Sequence, residues 1–216
     1  YQSTTKTKID LKKKKNIITF IGKLNRAKGY DIFGDAAIKI LNEFPNWNVE
    51  VVGDESREKI YYNHNRFNLN GFQNHKNVLK ILKKTSISVV CSRWDEPFGR
   101  TSLESSSHGC ATIISNKGGL PETTSDALVL KENNSTNLYI LIKKLIINSK
   151  LRRNLQKNSN KNFYLTNTFV SKQIDNVRDR LTNKLLIKKK KKLKILHITN
   201  FNERHNGRLF YNTGRR

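Results

Sequence analysis

Short apolar runs, each closed by a glycine or a tight polar turn, alternate with helix-period segments through the middle of this chain. Residues 16–21 run into Gly22, residues 47–52 into Gly53, residues 86–91 into a loop ending at Gly99, and residues 110–114 into a turn at Gly118-Gly119. After the first run, Phe33, Ala36, Ala37, Ile40, Leu41 and Phe44 recur at helical spacing until Pro45 stops the pattern. Strands separated by single helices must cross over to pair, and the crossover that packs is the right-handed parallel β-α-β unit. Near-continuous apolar strands fit a sheet covered on both faces. The alternation therefore predicts an α/β fold: a doubly wound, mostly parallel sheet followed by C-terminal helices.

The remaining elements follow from the same signals. A weaker helix is expected over 56–63, a short strand over 67–69 before Gly71-Phe72, and a helix marked by Val78, Leu79, Ile81 and Leu82. The helix after Gly99 should end at Gly109, a C-cap glycine. A last short strand is read at 127–130, and helices at 135–148, 150–160 and 168–187. Residues 1–15 read as a linker or frayed edge, 16–187 as one domain, 188–193 as a lysine-rich linker, and 194–216 as the opening strand and loop of a further unit. The chain has no Met and opens on Tyr1, so it is expected to be part of something longer.

Charge bounds the partners. The 42 Lys and Arg outnumber the 17 Asp and Glu, for a formal net charge of +25. Such an excess suits a nucleic acid or an anionic membrane surface. It equally suits a lysine-rich composition spread over solvated faces, and that reading is preferred. The clusters at 12–15 and 188–192 lack interleaved aromatics, and no nucleic-acid-binding motif occurs, so nucleic acid is not the expected partner. No apolar run reaches the roughly 18 residues of a membrane span, and no secretory signal opens the sequence. Cys91 and Cys110 read as small buried hydrophobes in a reducing compartment, since no Cys/His cluster accompanies them.

One stretch carries chemistry: Glu96-Pro97-Phe98-Gly99-Arg100-Thr101-Ser102-Leu103-Glu104. Two carboxylates flank a glycine turn where an apolar strand hands over to a helix. A helix N-terminus offers unpaired N–H groups and a partial positive charge, and glycine lets backbone approach closely. That is where α/β folds bind phosphorylated ligands.

Over residues 16–180 the sequence resembles the C-terminal, nucleotide-sugar-binding domain of the retaining glycosyltransferases of the GT-B fold, the family-four group. Four features match in order: Gly22-Lys23-Leu24-Asn25-Arg26-Ala27-Lys28-Gly29 as the first strand–helix loop, Gly71-Phe72 as the base-binding loop, Glu96 and Glu104 as the two-glutamate motif, and Gly118-Gly119-Leu120-Pro121-Glu122 as the turn that follows. The resemblance implies a Rossmann-like half of a GT-B enzyme that uses a UDP- or GDP-type sugar donor, with no metal or other cofactor. It implies that Glu104 meets the ribose hydroxyls. Glu96 would hold a donor-sugar hydroxyl with backbone N–H groups of Phe98, Gly99 and Arg100. The Thr101 N–H, Lys23 and Lys28 would meet the diphosphate, with Gly22 in the same loop, and Gly71 and Phe72 the base. Lys23 departs from the family's usual Arg, which keeps the charge and loses the bidentate fork.

The family's N-terminal, acceptor-binding domain precedes this one, so the chain alone is expected to bind donor without transferring sugar. Residues 194–216 resemble the start of such a domain. The acceptor is set by that domain and is not identified by the resemblance, with which a glycan or lipid-linked glycan would be compatible. The expected location is cytoplasmic, with the lysine excess suiting a peripheral place on an anionic membrane face. The rival readings are a non-catalytic basic binding module on the same scaffold and a nucleic-acid binder. A glycosidase acid/base pair is disfavoured, since one carboxylate lies in a loop and the other in a helix. His108 reads as helix packing and Trp94 as a packing anchor. Neither a Gly-x-Gly-x-x-Gly loop nor a Walker-type loop is present.

Overall fold

The computed structural model of the chain describes residues 3–187, with side chains described as far as 182. Six strands form one sheet: β1 (Ile17–Ile21), β2 (Asn48–Val52), β3 (Phe67–Leu69), β4 (Ile87–Val90), β5 (Ala111–Ser115) and β6 (Ala127–Leu130). Their order is β3-β2-β1-β4-β5-β6, and every ladder is parallel. From β1 the chain winds outward through β2 and β3, then returns to lay β4 on the other side of β1 and winds outward the opposite way. The winding thus reverses between β1 and β4. At such a switch point the two flanking loops leave in opposite directions and open a crevice at the carboxyl ends of the strands.

The helices are α1 (Tyr30–Glu43), α2 (His75–Lys84), α3 (Arg100–Ser107), α4 (Ser135–Ile147), α5 (Ser149–Lys161) and α6 (Asn167–Ile187). The two sheet faces differ in chemistry. Ile18, Phe20, Val49, Val51, Ile87, Val89, Ala111 and Ile113 turn to one face and join α1 and α4 in the main apolar core. The opposite positions on β1, β4 and β5 are Thr19, Ser88 and Thr112, fully buried. There Thr19 shares a hydroxyl hydrogen bond with Thr85 (2.7 Å) and Ser88 with Ser105 of α3 (2.7 Å). The expectation of continuously apolar strands is corrected by this second face. Small hydroxyl side chains let α3 lie close to the sheet, and each paired hydroxyl avoids the penalty of an unmet polar group.

Two further expectations differ. Residues 56–63 form no helix. Tyr62 instead lies in the hollow left by Gly34, where a Cβ would come within 1.9 Å of its ring, and its hydroxyl donates to Asp31 O (3.0 Å) and bonds Asp35 (2.9 Å). Side-chain anchoring of this kind outweighs weak helix propensity. The segment before β1 is not frayed either. Asp10 caps a 3-10 turn at Leu11–Lys13, Asn160 donates to Thr7 O (2.9 Å), and Lys14 Nζ donates to Leu82 O (3.0 Å) and His108 O (2.8 Å).

The chain divides into a compact unit, Tyr1–Asn176, and a second, Val177–Arg216, whose described residues continue α6. The further unit expected at 194–216 and the linker at 188–193 lie outside the described residues.

Candidate functional site at the switch point

A cavity of about 210 Å³ opens where β1 and β4 end. Gly22 and Lys28 line it from the loop after β1, and Ser92, Glu96, Gly99, Arg100 and Thr101 from the loop after β4 and the start of α3. Residues far apart in the chain are brought together because both loops leave the sheet at the switch point.

The first loop is shaped by Asn25, which sequence reasoning quoted without assigning it a role. Its Oδ1 accepts from the Lys28 N–H (3.0 Å), and its Nδ2 donates to Glu55 (3.0 Å). Lys28, thus aimed inward, forms an ion pair with Glu96 at 2.5 Å, the side chains 32% and 14% exposed. Glu96 Oε2 has no partner among the described residues. Lys23, by contrast, is exposed and outside the cavity lining.

The second loop is braced by the turn that follows β5. Gly118 has φ +53°, and a Cβ there would stand 2.2 Å from Glu96 O. The Gly119 N–H donates to that same carbonyl (2.7 Å). The glycine pair thereby lets one turn lie directly on the backbone of the carboxylate it positions. Gly99, with φ +101°, caps α3 with backbone alone, since no side chain caps the helix. The first-turn N–H groups of α3 face the cavity end of the helix without a side-chain acceptor, a place where an anion is stabilised. Phe98 turns its ring away, into a cluster with Leu103, Phe163 and Leu165.

Glu104 lies deeper, 4% exposed, one turn into α3. Its Oε1 is held by Arg100 Nε (2.8 Å) and by His75 Nε2 (2.8 Å). His75 opens α2, just beyond the loop bearing Gly71 and Phe72, so the contact ties that loop region to the two-glutamate motif. No sequence signal marked His75, because only the fold places α2 beside α3. Phe72 is 77% exposed, and Gly71 takes φ +61° while its carbonyl accepts from Gly53 N–H (2.9 Å). Trp94 is 61% exposed, which corrects its reading as a packing anchor. Its backbone N–H donates to Ala27 O (3.1 Å) and its carbonyl accepts from Ser92 Oγ (3.1 Å). His108 is buried beyond α3 and bonded within its own turn, as a packing residue, and burial lowers its pKa. Burial also pushes the Cys91 thiol up to about 12 and raises that of Cys110, so neither is a nucleophile. Among the described residues no group of three His, Cys, Asp or Glu could hold a metal ion.

The six-stranded parallel sheet flanked by helices matches the Rossmann-like half of GT-B glycosyltransferases. Residues 2–162 match the family described as glycosyl transferases group 1, and the chain belongs to that family. Among curated proteins, spore coat protein SA of Bacillus subtilis (strain 168) is 27% identical over 121 residues, covering 50% of this chain and 32% of the relative. An uncharacterized 41.2 kDa protein in the cps region of Klebsiella pneumoniae is 27% identical over 128 residues, covering 55% and 33%. The matched region thus spans about a third of either relative's length. Among solved structures, Anabaena Alr3699/HepE in complex with UDP and glucose superposes with a TM-score of 0.65 at 18% identity, over 76% of this chain and 48% of that one. The C-terminal domain of the group 1 family protein LpcC from Francisella tularensis gives 0.56 at 22% identity, over 67% and 82%. Sucrose-phosphate synthase from Thermosynechococcus elongatus gives 0.66 at 19% identity, over 80% and 47%. These likenesses show the fold.

Proposed function

We propose that these residues form the donor-binding half of a glycosyltransferase that takes a sugar from a nucleoside diphosphate and transfers it with retention of configuration. The observation that carries this reading is the convergence of Lys28, Glu96 and the open N-terminus of α3 on one cavity at the switch point. UDP in the Anabaena structure and UDP-glucose in a second structure of that protein support a nucleotide-sugar donor.

In this reading the diphosphate lies against the first turn of α3 and the Lys28 ammonium. When the bond between the sugar C1 and the phosphate oxygen breaks, its electron pair goes to the phosphate. The ammonium and the backbone N–H groups stabilise that charge where it develops, with no cofactor required. Lys28 must exchange part of its contact with Glu96 for the phosphate, which frees the Glu96 carboxylate for a sugar hydroxyl. Glu104, fixed through Oε1 by Arg100 and His75, presents its other oxygen to the ribose, and the exposed Phe72 lies on the loop for the base. Lys23 reaches the phosphates only by moving from its exposed position.

Calorimetric titration with UDP and with GDP tests the reading. Saturable binding of one of them, weakened in Glu104→Ala by about 1–3 kcal/mol for a lost charged hydrogen bond, is the expected outcome. A folded chain that binds neither would favour the non-catalytic module. Sugar transfer to an acceptor by these 216 residues alone is not expected, and turnover with a donor sugar and acceptor glycans checks it.

A further inference from the structure

A second cavity, of about 610 Å³, lies away from the switch point. It opens at the other end of the sheet, beside the starts of β1 and β4, a strand's length from the donor cavity, on the order of 15 Å at about 3.3 Å per residue. One wall is the segment before β1, with Lys8 and lysines 12–15. The other is the last turns of α2, with Lys80, Lys83 and Lys84, and His108 closes the floor. Asp10 is the one carboxylate in the lining, and it is engaged by the Lys12 N–H (3.0 Å).

This concentration exceeds what composition supplies. With 42 basic to 17 acidic residues, eight lysines drawn at random would bring about three carboxylates with them, by the roughly even scatter expected of a solvated face. The groove is also built, not draped. Lys14 turns inward to the carbonyls of Leu82 and His108, the Lys15 N–H donates to Lys84 O (2.8 Å), and Thr7 bonds His108 Nε2 (3.3 Å). These contacts hold the two lysine-bearing walls face to face. Lys14 further offsets the negative carboxyl end of α2, which would otherwise repel an anion. The other seven ammonium groups are on exposed residues, and none has a carboxylate partner among the described residues.

Like charges facing one another across a recess repel, and a multiply charged anion relieves all of those contacts at once. Lysine binds phosphate as a point charge and needs no planar fork. No Phe, Tyr or Trp lines the groove and the His108 ring is buried in its floor, so bases have no exposed stacking platform, which disfavours single-stranded nucleic acid. We infer that the lysine groove between the pre-β1 segment and α2 is a second anion site, separate from the donor cavity, that takes a compact, multiply phosphorylated group, free or as a lipid headgroup.

The test uses the full chain and inorganic tripolyphosphate as the probe. One variant carries Lys12→Gln, Lys13→Gln, Lys83→Gln and Lys84→Gln. A second, of equal net charge, carries Lys144→Gln, Lys150→Gln, Lys157→Gln and Lys172→Gln, all on exposed positions outside the groove. Saturable binding that persists in excess UDP, falls about tenfold or more in the groove variant and holds in the second is expected, given the steep dependence of such binding on charge. Vesicles containing phosphatidic acid assign the source. Groove-dependent sedimentation that tripolyphosphate competes away marks a lipid headgroup, and its absence marks a free anion. Equal weakening in both variants would reduce the effect to diffuse charge and overturn the site, as would absence of saturable binding. Groove-dependent binding of a single-stranded RNA that tripolyphosphate does not displace would overturn it in favour of nucleic acid. Unchanged UDP binding in the groove variant separates this outcome from the fate of the donor site.

Discussion

At the scale of single residues, charge pairs order the loop that follows β4. Arg93 holds Asp31 in a two-point grip, Nη1 to Oδ1 at 2.6 Å and Nη2 to Oδ2 at 2.8 Å, and so ties the loop after β4 to the start of α1. Burial alone would raise the pKa of Asp31, but the Arg93 hydrogen bonds and charge outweigh it and lower the value. A carboxylate depressed in the folded state adds stability above its unfolded pKa of about 3.9 and loses it as pH falls through the folded one. Unfolding midpoints should therefore drop below about pH 4, and Arg93→Ala should flatten that part of the pH–stability curve. Trp94, next in sequence, behaves oppositely: with 61% of its surface exposed, Trp94→Ala should leave denaturant stability within about 0.5 kcal/mol. A loss of several kcal/mol would restore the packing role.

At the scale of elements, α3 is the decisive piece and a poor helix by its own sequence. Three consecutive serines, Ser105, Ser106 and Ser107, have modest helix propensity, yet all are fully buried. Its position comes from neighbours: Ser105 bonds Ser88 of β4, and Ser102 bonds Thr123 (2.6 Å) in the turn after β5. That turn also presses on the Glu96 backbone through Gly118. Gly118→Ala should destabilise the chain by about 1–3 kcal/mol from backbone strain and further from the clash, and it should weaken nucleotide binding with it. Thermal melts beside UDP titration check both effects. A variant that binds normally would show that the turn does not position Glu96.

At the scale of the whole molecule, one core on the α1/α4 side of the sheet supports both ends. Phe33 is fully buried and meets Phe20 (ring centroids 5.1 Å) and Phe67 (6.4 Å), joining α1 to β1 and β3. Phe33→Ala should cost about 3–5 kcal/mol, read from denaturant midpoints with an unchanged slope. The two ends of the strands then carry different chemistry on one rigid sheet: an ion pair and a helix N-terminus at the carboxyl ends, and a lysine-walled recess at the amino ends.

Periodicity and glycine punctuation alone determined the alternating α/β plan, most strand positions and the residues of the motif, because those signals are local and each element carries its own. The order of motifs along the chain likewise pointed to the family. What neighbours decide was not legible. The helix expected at 56–63 gave way to the packing of Tyr62 against Gly34, and the segment before β1 was fastened by Lys14, whose partners lie about seventy and ninety-five residues on, contacts too distant for local rules. His75 met Glu104 only because two helices with no shared sequence signal lie side by side. The lysines at 12–15 looked like a solvated run until the fold set α2 against them. Composition counts charges, while only tertiary structure decides which of them face one another.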